Sequence, residues 1–472
     1  MIDSSSQSAP EAEPNANSAP PAPKATSGSF FEHSLNGFQA WALERPDNPL
    51  SRSILPVIGF VEGLLANQPT YLDAKRLAFG DSFCCAGQVV MGEFGAVETA
   101  LTSPQARTWR LGTTMLEAQH APNLDVGGRN LFLLSLSDEA AGGSGDREAF
   151  RACMETYLLG DAAIARQQDE TARQLLDQLA ADYVEMNHDP GGDFFTDTSR
   201  GLLRFFIRYL HYVLFGLDPD DKASMDLLAD LHYDRQGTIY YSAIVSNILL
   251  ALNRNGFRQV PASIEQVATL YENSPALANF ESDNPDFKHM TSRELAKLMV
   301  AIMSIAGLQG PLHLAYTSMG HRPLPDYTGR STKDIDPTHY WDKLDLDDRD
   351  ALRLYLLECG RLWAPVSASH RVATEPFTLK VAGKERTFPA GTKVLIPMSL
   401  GLLSQDFWGP TTYEFNAERE NLCPYHMGFH SVGDRSAGRI CPGKTIALEM
   451  LIDILSVVGK TRRTAPPPET TP

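Results

Sequence analysis

Cys441 stands where a thiolate would be stabilised. It lies in the stretch Phe429–Glu449, FHSVGDRSAGRICPGKTIALE, where Gly433 and Gly438 interrupt regular structure and Pro442-Gly443 follow the cysteine directly. Beyond it, Ile446, Ala447, Met450, Leu451 and Ile454 recur at helical spacing. The pattern predicts a loop that delivers Cys441 to a helix N-terminus, whose first-turn N–H groups have no partner within the helix. Those groups and the helix dipole favour negative charge on sulfur. Arg439, two residues earlier, adds positive charge. The competing reading is an inert core cysteine, because most free cysteines are buried. The loop alone leaves the two evenly balanced.

Upstream, Leu357-Glu358-Cys359-Gly360-Arg361 sets a carboxylate and a guanidinium three apart, on one face of a predicted helix. Phe415-Asn416-Ala417-Glu418-Arg419 follows, and then the cysteine loop. That order, closing on Arg-x-Cys-Pro-Gly, resembles the cytochrome P450 family from about Thr291 to Val458. The resemblance implies a mainly α fold with a small β portion, binding haem b (iron protoporphyrin IX) through Cys441 as the metal ligand. It implies a structural ion-pair network of Glu358, Arg361 and Arg419 that locks the segment carrying the cysteine. It places Arg439 and Arg371 at the cofactor, Arg371 on a haem propionate, which a guanidinium suits. A surface strand arginine is the alternative for Arg371. A thiolate ligand pushes electron density onto haem iron and favours O–O cleavage.

The longest predicted helix is Thr291–Ser318, capped by Thr291 or Ser292 with Glu294, and apolar at Leu298, Met299, Ile302, Ile305 and Leu308. The resemblance makes it the helix that crosses the distal haem face, with Ala306-Gly307 permitting close approach. Pro311 should bend it. A kinked core helix without chemistry is the alternative. Most oxygen-activating members carry an acid and a threonine just after that pair, and here Gln309 and Gly310 stand there. Gln309 can hydrogen-bond a ligand but has no ionisable group, and Gly310 leaves only space. The cysteine loop departs too. Asp434 and Ala437 occupy the usual aromatic and glycine positions, and Phe429 lies further back. Long loops of this sort resemble the peroxygenase branch and the allene oxide synthase and hydroperoxide lyase branch. Gly310-Pro311 with Gln309 replaces the Arg-Pro pair that holds a fatty-acid carboxylate in peroxygenases.

The leading expectation is an enzyme fed with oxygen already at the peroxide level, either hydrogen peroxide or a lipid hydroperoxide. Its catalytic residues are Gln309, Gly310 and Ala306, and its substrate is apolar and lipid-like. The runner-up is an O2-dependent monooxygenase served by a ferredoxin or reductase. A haem-binding protein without turnover is the third reading.

These residues need a scaffold, and the composition bounds it. The chain has 472 residues and a net charge of −17, which argues against a nucleic-acid surface. Cysteines 84, 85, 153, 359, 423 and 441 form no CxxC pair, which predicts reduced thiols inside a cell. Residues 1–28 are Ser-, Ala- and Pro-rich, which predicts a disordered tail without a secretory signal. A single domain over 29–460 and a flexible tail from Thr461 are expected. No segment reaches about 18 uninterrupted apolar residues, so no transmembrane anchor is expected and a soluble cytoplasmic protein is. Helices are predicted over Ser53–Leu65, Arg147–Gly160, Asp161–Met186, Leu202–Leu214, Ser224–Leu231 and Ile239–Leu252, the last as a cavity lining. Gln88–Leu101 starts strand-like and turns helical, and strands are predicted at His370–Ala373, Phe377–Leu379 and Lys393–Ile396, with Ala390-Gly391 turning into the last. His211 reads as a packed core histidine rather than a ligand.

Overall fold

The computed structural model describes residues 29–66, 69–97, 109–110, 125–126, 129–130, 144–187, 193–233, 260–322, 340–366, 368–373, 375–420, 422 and 441–464. Residues 1–28, the predicted helix 239–252 and Cys423 lie outside them.

Seven long segments share the main hydrophobic core: Glu170–Asn187, Gly201–Phe215, Lys222–His232, Val260–Glu272, Ser292–Ser318, Arg349–Leu362 and Lys444–Thr464. Gly201–Phe215 is the most enclosed, as its nearly continuous apolar run requires, with Leu202, Phe206, Ile207, Tyr209, Val213 and Phe215 all fully buried. Gly216 ends it at φ +72, its N–H bonding Tyr212 O and the Leu217 N–H bonding His211 O. That double return is the left-handed helix stop that glycine permits.

The β portion lies beside this bundle. Strands β1 (Ser82–Cys85), β2 (Gln88–Met91), β3 (Trp109–Arg110), β6 (Ser369–Ala373) and β9 (Lys393–Ile396) form one sheet in the order β1-β2-β9-β6-β3. Only β2 and β9 run parallel, with Val89 opposite Val394. β4 (Asp125–Val126) pairs with β5 (Arg129–Asn130), and β7 (Phe377–Val381) with β8 (Lys384–Phe388). Sequence reading missed β1 and β8. Both belong to hairpins closed by two positive-φ residues, Ala86-Gly87 and Ala382-Gly383. That is the turn geometry matching strand twist, but alanine in its first position carries no turn signal.

Two buried networks fasten the N-terminal helices (Phe30–Glu44, Pro49–Ala66 and Pro69–Phe79) to the rest. The Glu62 carboxylate accepts from Lys75 (2.7 Å), Tyr71 Oη (2.8 Å), Gln39 Nε2 (3.0 Å) and the Ala86 amide (2.7 Å). Arg76 donates to Asp73 (2.6 Å), to Tyr413 Oη and to Leu403 O (3.0 Å), while Tyr413 also donates to Asp73 (2.8 Å). Arg76 therefore ties the third helix to the segment that precedes the cysteine loop.

Three predicted boundaries move. The expected single helix Asp161–Met186 is two, Asp161–Gln167 and Glu170–Asn187, because Asp169 caps the second by accepting from the Ala172 N–H at 3.0 Å. The final helix runs to Thr464, so the expected tail from Thr461 begins in helix. Arg463 donates there to Trp341 O, Asp342 O and Leu344 O. The expected helix Arg147–Gly160 is α-helical over Asp146–Cys153 and closes in a π-helical turn at Met154–Leu158.

Candidate functional site

Cys441 is half-buried, three residues before the helix Lys444–Thr464. Burial dominates and holds its thiol pKa above the ordinary cysteine value, against the stabilised thiolate the local pattern predicts, while the N–H groups of Gly443 and Lys444 and the charges of Arg151 and Lys444 offset part of that rise. Arg151, on the helix Asp146–Cys153, was not anticipated from sequence; nothing in spacing links it to a cysteine so far along the chain. Gln167 Nε2 donates to Ile446 O at 2.9 Å, which fixes the start of the cysteine-bearing helix on the bundle. Arg439, Phe429, Asp434 and Ala437 lie outside the described residues.

Glu358, Arg361 and Arg419 come together in the interior. Glu358 is fully buried, and Arg361 donates to both its oxygens, Nε at 2.7 Å and Nη2 at 2.8 Å. Arg419 Nε donates to Glu358 Oε1 at 3.1 Å, and the Asn416 amide to the same oxygen at 2.9 Å. The remaining donors spread over backbone. Arg361 Nη1 reaches Leu402 O (3.0 Å) and Thr412 O (2.7 Å), and Arg419 Nη2 reaches Glu414 O (2.8 Å). One carboxylate and two guanidinia thus gather the irregular segment 402–419, the stretch that leads into the cysteine loop.

The helix predicted over Thr291–Ser318 begins with a capping box. Thr291 Oγ1 accepts from the Glu294 N–H (3.2 Å) and Glu294 Oε2 from the Thr291 N–H (2.8 Å). It runs as an α-helix over Ser292–Ile302, widens into a π-helical turn at Met303–Gly307, and resumes over Gln309–Ser318. The disruption therefore sits one turn before Pro311, not at it. In a straight α-helix the proline ring would meet the Gly307 carbonyl. The wider turn is closed by the Leu308 N–H bonding Met303 O at 3.0 Å.

Around the turn the burial pattern picks out one face. Met303, Ser304, Leu308, Leu312 and Leu314 are buried. Ala306 is exposed, and Gln309, Gly310, Pro311 and His313 are half-buried. Among the described residues a Cβ on Gly310 would meet nothing within 4 Å. Gly307 also meets a packing demand within its own helix. A Cβ there would lie 2.8 Å from Met303 Sδ, so its smallness seats the helix's own methionine. Arg371, on β6, is buried and hydrogen-bonds Ser369 Oγ.

Behind the turn runs a buried polar chain that spacing does not reveal. His211 Nδ1 lies 2.7 Å from Ile207 O and must donate to it, so the neutral ring offers Nε2 to the Tyr271 hydroxyl at 2.8 Å. Ser304 Oγ donates to Val300 O at 3.0 Å, so His232 Nδ1 donates to Ser304 across 2.8 Å. Tyr271 Oη and His232 Nε2 then face each other at 3.5 Å without a proton between them. Burial lowers the pKa of both imidazoles, to about 4 for His211 and well below the ordinary value for His232, and so keeps them neutral. His211 is thus a packed histidine, and this chain pins Ser304 within the π turn.

No family model matches the sequence, and no curated protein is similar to it in sequence. Solved structures do match. A P450 haem domain from Tepidiphilus thermophilus aligns with a TM-score of 0.56 at 13% identity, covering 85% of this chain and 88% of its own. A cytochrome P450 from Novosphingobium aromaticivorans gives 0.55 at 15%, covering 90% and 91%. P450BioI in complex with acyl carrier protein ligated to hexadec-9Z-enoic acid gives 0.53 at 12%, covering 80% and 85%. The chain has the cytochrome P450 fold.

Two predictions follow from this geometry. Glu358→Gln leaves two buried guanidinia facing a neutral amide and should cost about 3–5 kcal/mol, read as a lower urea midpoint; an unchanged midpoint contradicts the role given to the triad. His211 has a folded pKa near 4, below its unfolded value, so the unfolded chain binds more protons between the two. Stability should be full above about pH 6.5 and fall by about 3 kcal/mol as pH drops toward 4. Urea titrations across that range should show a smaller loss in His211→Gln than in the parent.

Proposed function

We propose that this protein is a haem-thiolate oxidoreductase of one domain, acting on an apolar, lipid-like substrate with oxygen supplied as hydrogen peroxide or a hydroperoxide. The observation that carries the reading is a half-buried cysteine at a helix N-terminus in a chain of P450 fold, combined with a π-turned helix whose open face bears Gln309 and Gly310. The residues fit the cofactor. Cys441 has N–H donors and two cations that offset part of the burial holding its thiol pKa up, and iron ligation would supply the rest, a Cβ on Gly310 would meet no described residue within 4 Å, and Arg371 is a buried guanidinium suited to a propionate.

Haem bound there supplies the redox centre, and thiolate ligation favours O–O cleavage. The chain's own residues do the rest. Cys441 donates sulfur as the ligand. Gln309 orients the peroxide through its amide, which donates and accepts but holds no transferable charge. Gly310 and Ala306 keep the approach clear, and Glu358, Arg361 and Arg419 hold the segment before the cysteine loop. A substrate already at the peroxide level does not need protons delivered from solvent to reduced dioxygen, the task of an acid–threonine pair at positions 309 and 310. A lipid-like substrate finds support in one structural neighbour, which is in complex with an acyl carrier protein ligated to a fatty acid. Among the described residues no helix is long and apolar enough to cross a membrane.

The test uses purified full-length protein. Its reduced form with CO should show the red-shifted band of a thiolate-ligated haem, and Cys441→Ser should lose it. A fatty-acid hydroperoxide should be consumed without reductase or nicotinamide cofactor. No consumption removes the peroxide reading, and turnover only with a ferredoxin or reductase replaces it with O2-dependent monooxygenation.

A further inference from the structure

The haem-thiolate reading leaves one chemical task without a residue. Breaking a peroxide bond heterolytically requires a proton to leave one oxygen and arrive on the other. Gln309 cannot carry it, and Gly310 has no side chain. Three residues beyond Gly310 and four beyond Gln309 stands His313, on the same helical face by spacing. It is half-buried between the buried Leu312 and Leu314, in the row that includes exposed Ala306.

The core histidines show what a packed imidazole looks like in this protein. Both ring nitrogens of His211 and of His232 face polar atoms of the chain described above. His313 differs. Among the described residues no group hydrogen-bonds to its ring, and its aromatic neighbour is the Tyr316 ring at 6.3 Å. Burial, and then the positive charge of Arg322, lower its pKa to about 4. Arg322 is held there by stacking over Tyr316 (5.7 Å) and Trp363 (5.2 Å). At neutral pH the ring therefore keeps a lone pair available, and its conjugate acid releases a proton readily.

We infer that His313 is the proton-transferring residue of this site, taking the place of the acid and hydroxyl that positions 309 and 310 lack. The inference rests on the haem-thiolate reading. For a hydroperoxide R–O–O–H, the imidazole lone pair takes the hydroperoxyl proton. The O–O bond breaks with its electron pair leaving on the RO oxygen, which recovers that proton from the imidazolium as ROH. Haem held by Cys441 would supply the two electrons that the retained oxygen lacks. The imidazole ends as it began, so one histidine suffices for both transfers.

Three measurements test this on the full chain. Diethyl pyrocarbonate followed by peptide mass spectrometry should label His313 and spare His211 and His232; a protected His313 overturns the inference without any variant being made. His313→Gln should lower kcat with a fatty-acid hydroperoxide by about 10²–10⁴-fold at little change in KM, with the ferrous–CO band intact. His313→Glu, which restores a base, should recover about tenfold or more of that loss. A glutamine variant within about threefold of the parent, or equal rates for the Gln and Glu variants, overturns the inference while the haem-thiolate reading stands. If the parent lacks the CO band, that reading fails first and the catalytic role with it, and the labelling still reports whether His313 lies on the open face.

Discussion

One buried carboxylate governs the geometry of this protein. Glu358 is shut away from water with two guanidinia, an arrangement that costs several kcal/mol per ion in desolvation before any attraction is counted. It is tolerable because hardly any donor or acceptor is wasted. Both carboxylate oxygens are occupied, and the surplus guanidinium N–H groups go to the carbonyls of Leu402, Thr412 and Glu414. Those carbonyls belong to a segment with little regular structure of its own, so its backbone hydrogen bonds must be met from outside. The triad meets them. Arg76 does the same from the other side, binding Leu403 O and Tyr413, so two helices far apart in the sequence hold one irregular stretch.

The long helix across the bundle solves a different problem. A proline and two glycines in its middle would weaken an isolated helix. Here the strain is concentrated in a single π turn, fixed at the back by Ser304 and the histidine chain and seated in front by Met303 over Gly307. π turns are rare and commonly mark functional positions. This one separates a buried polar spine from an open face, and the histidines divide accordingly. Both ring nitrogens of His211 and Nδ1 of His232 are committed to internal hydrogen bonds, with His232 Nε2 facing the Tyr271 hydroxyl, while the His313 ring has no hydrogen bond among the described residues.

Sequence periodicity determined a large part of this. The capping box at Thr291, the apolar run of Gly201–Phe215, the Glu358–Arg361 spacing and the placement of Cys441 before a helix are local facts. Residues within a few positions of one another carry them, and so one stretch of sequence displays them whole. The P450 fold, too, was legible through the order of these signals, although sequence comparison alone finds no relative.

What tertiary structure alone decided are the meetings between distant residues and the balance of competing local preferences. Nothing in composition brings Arg151 to Cys441, His232 to Ser304 or Arg76 to Tyr413, because those pairings depend on how helices cross rather than on what each contains. The π-helical turn falls at Met303–Gly307, ahead of Pro311, where the proline by itself points to a disruption at its own position. His313 could be seen in the text as a histidine at helical spacing. Its half-exposure between the buried Leu312 and Leu314, and the lack of any described neighbour within 4 Å of a Cβ on Gly310, separate it from a core residue, since exposure is a property of the assembled chain and not of its letters.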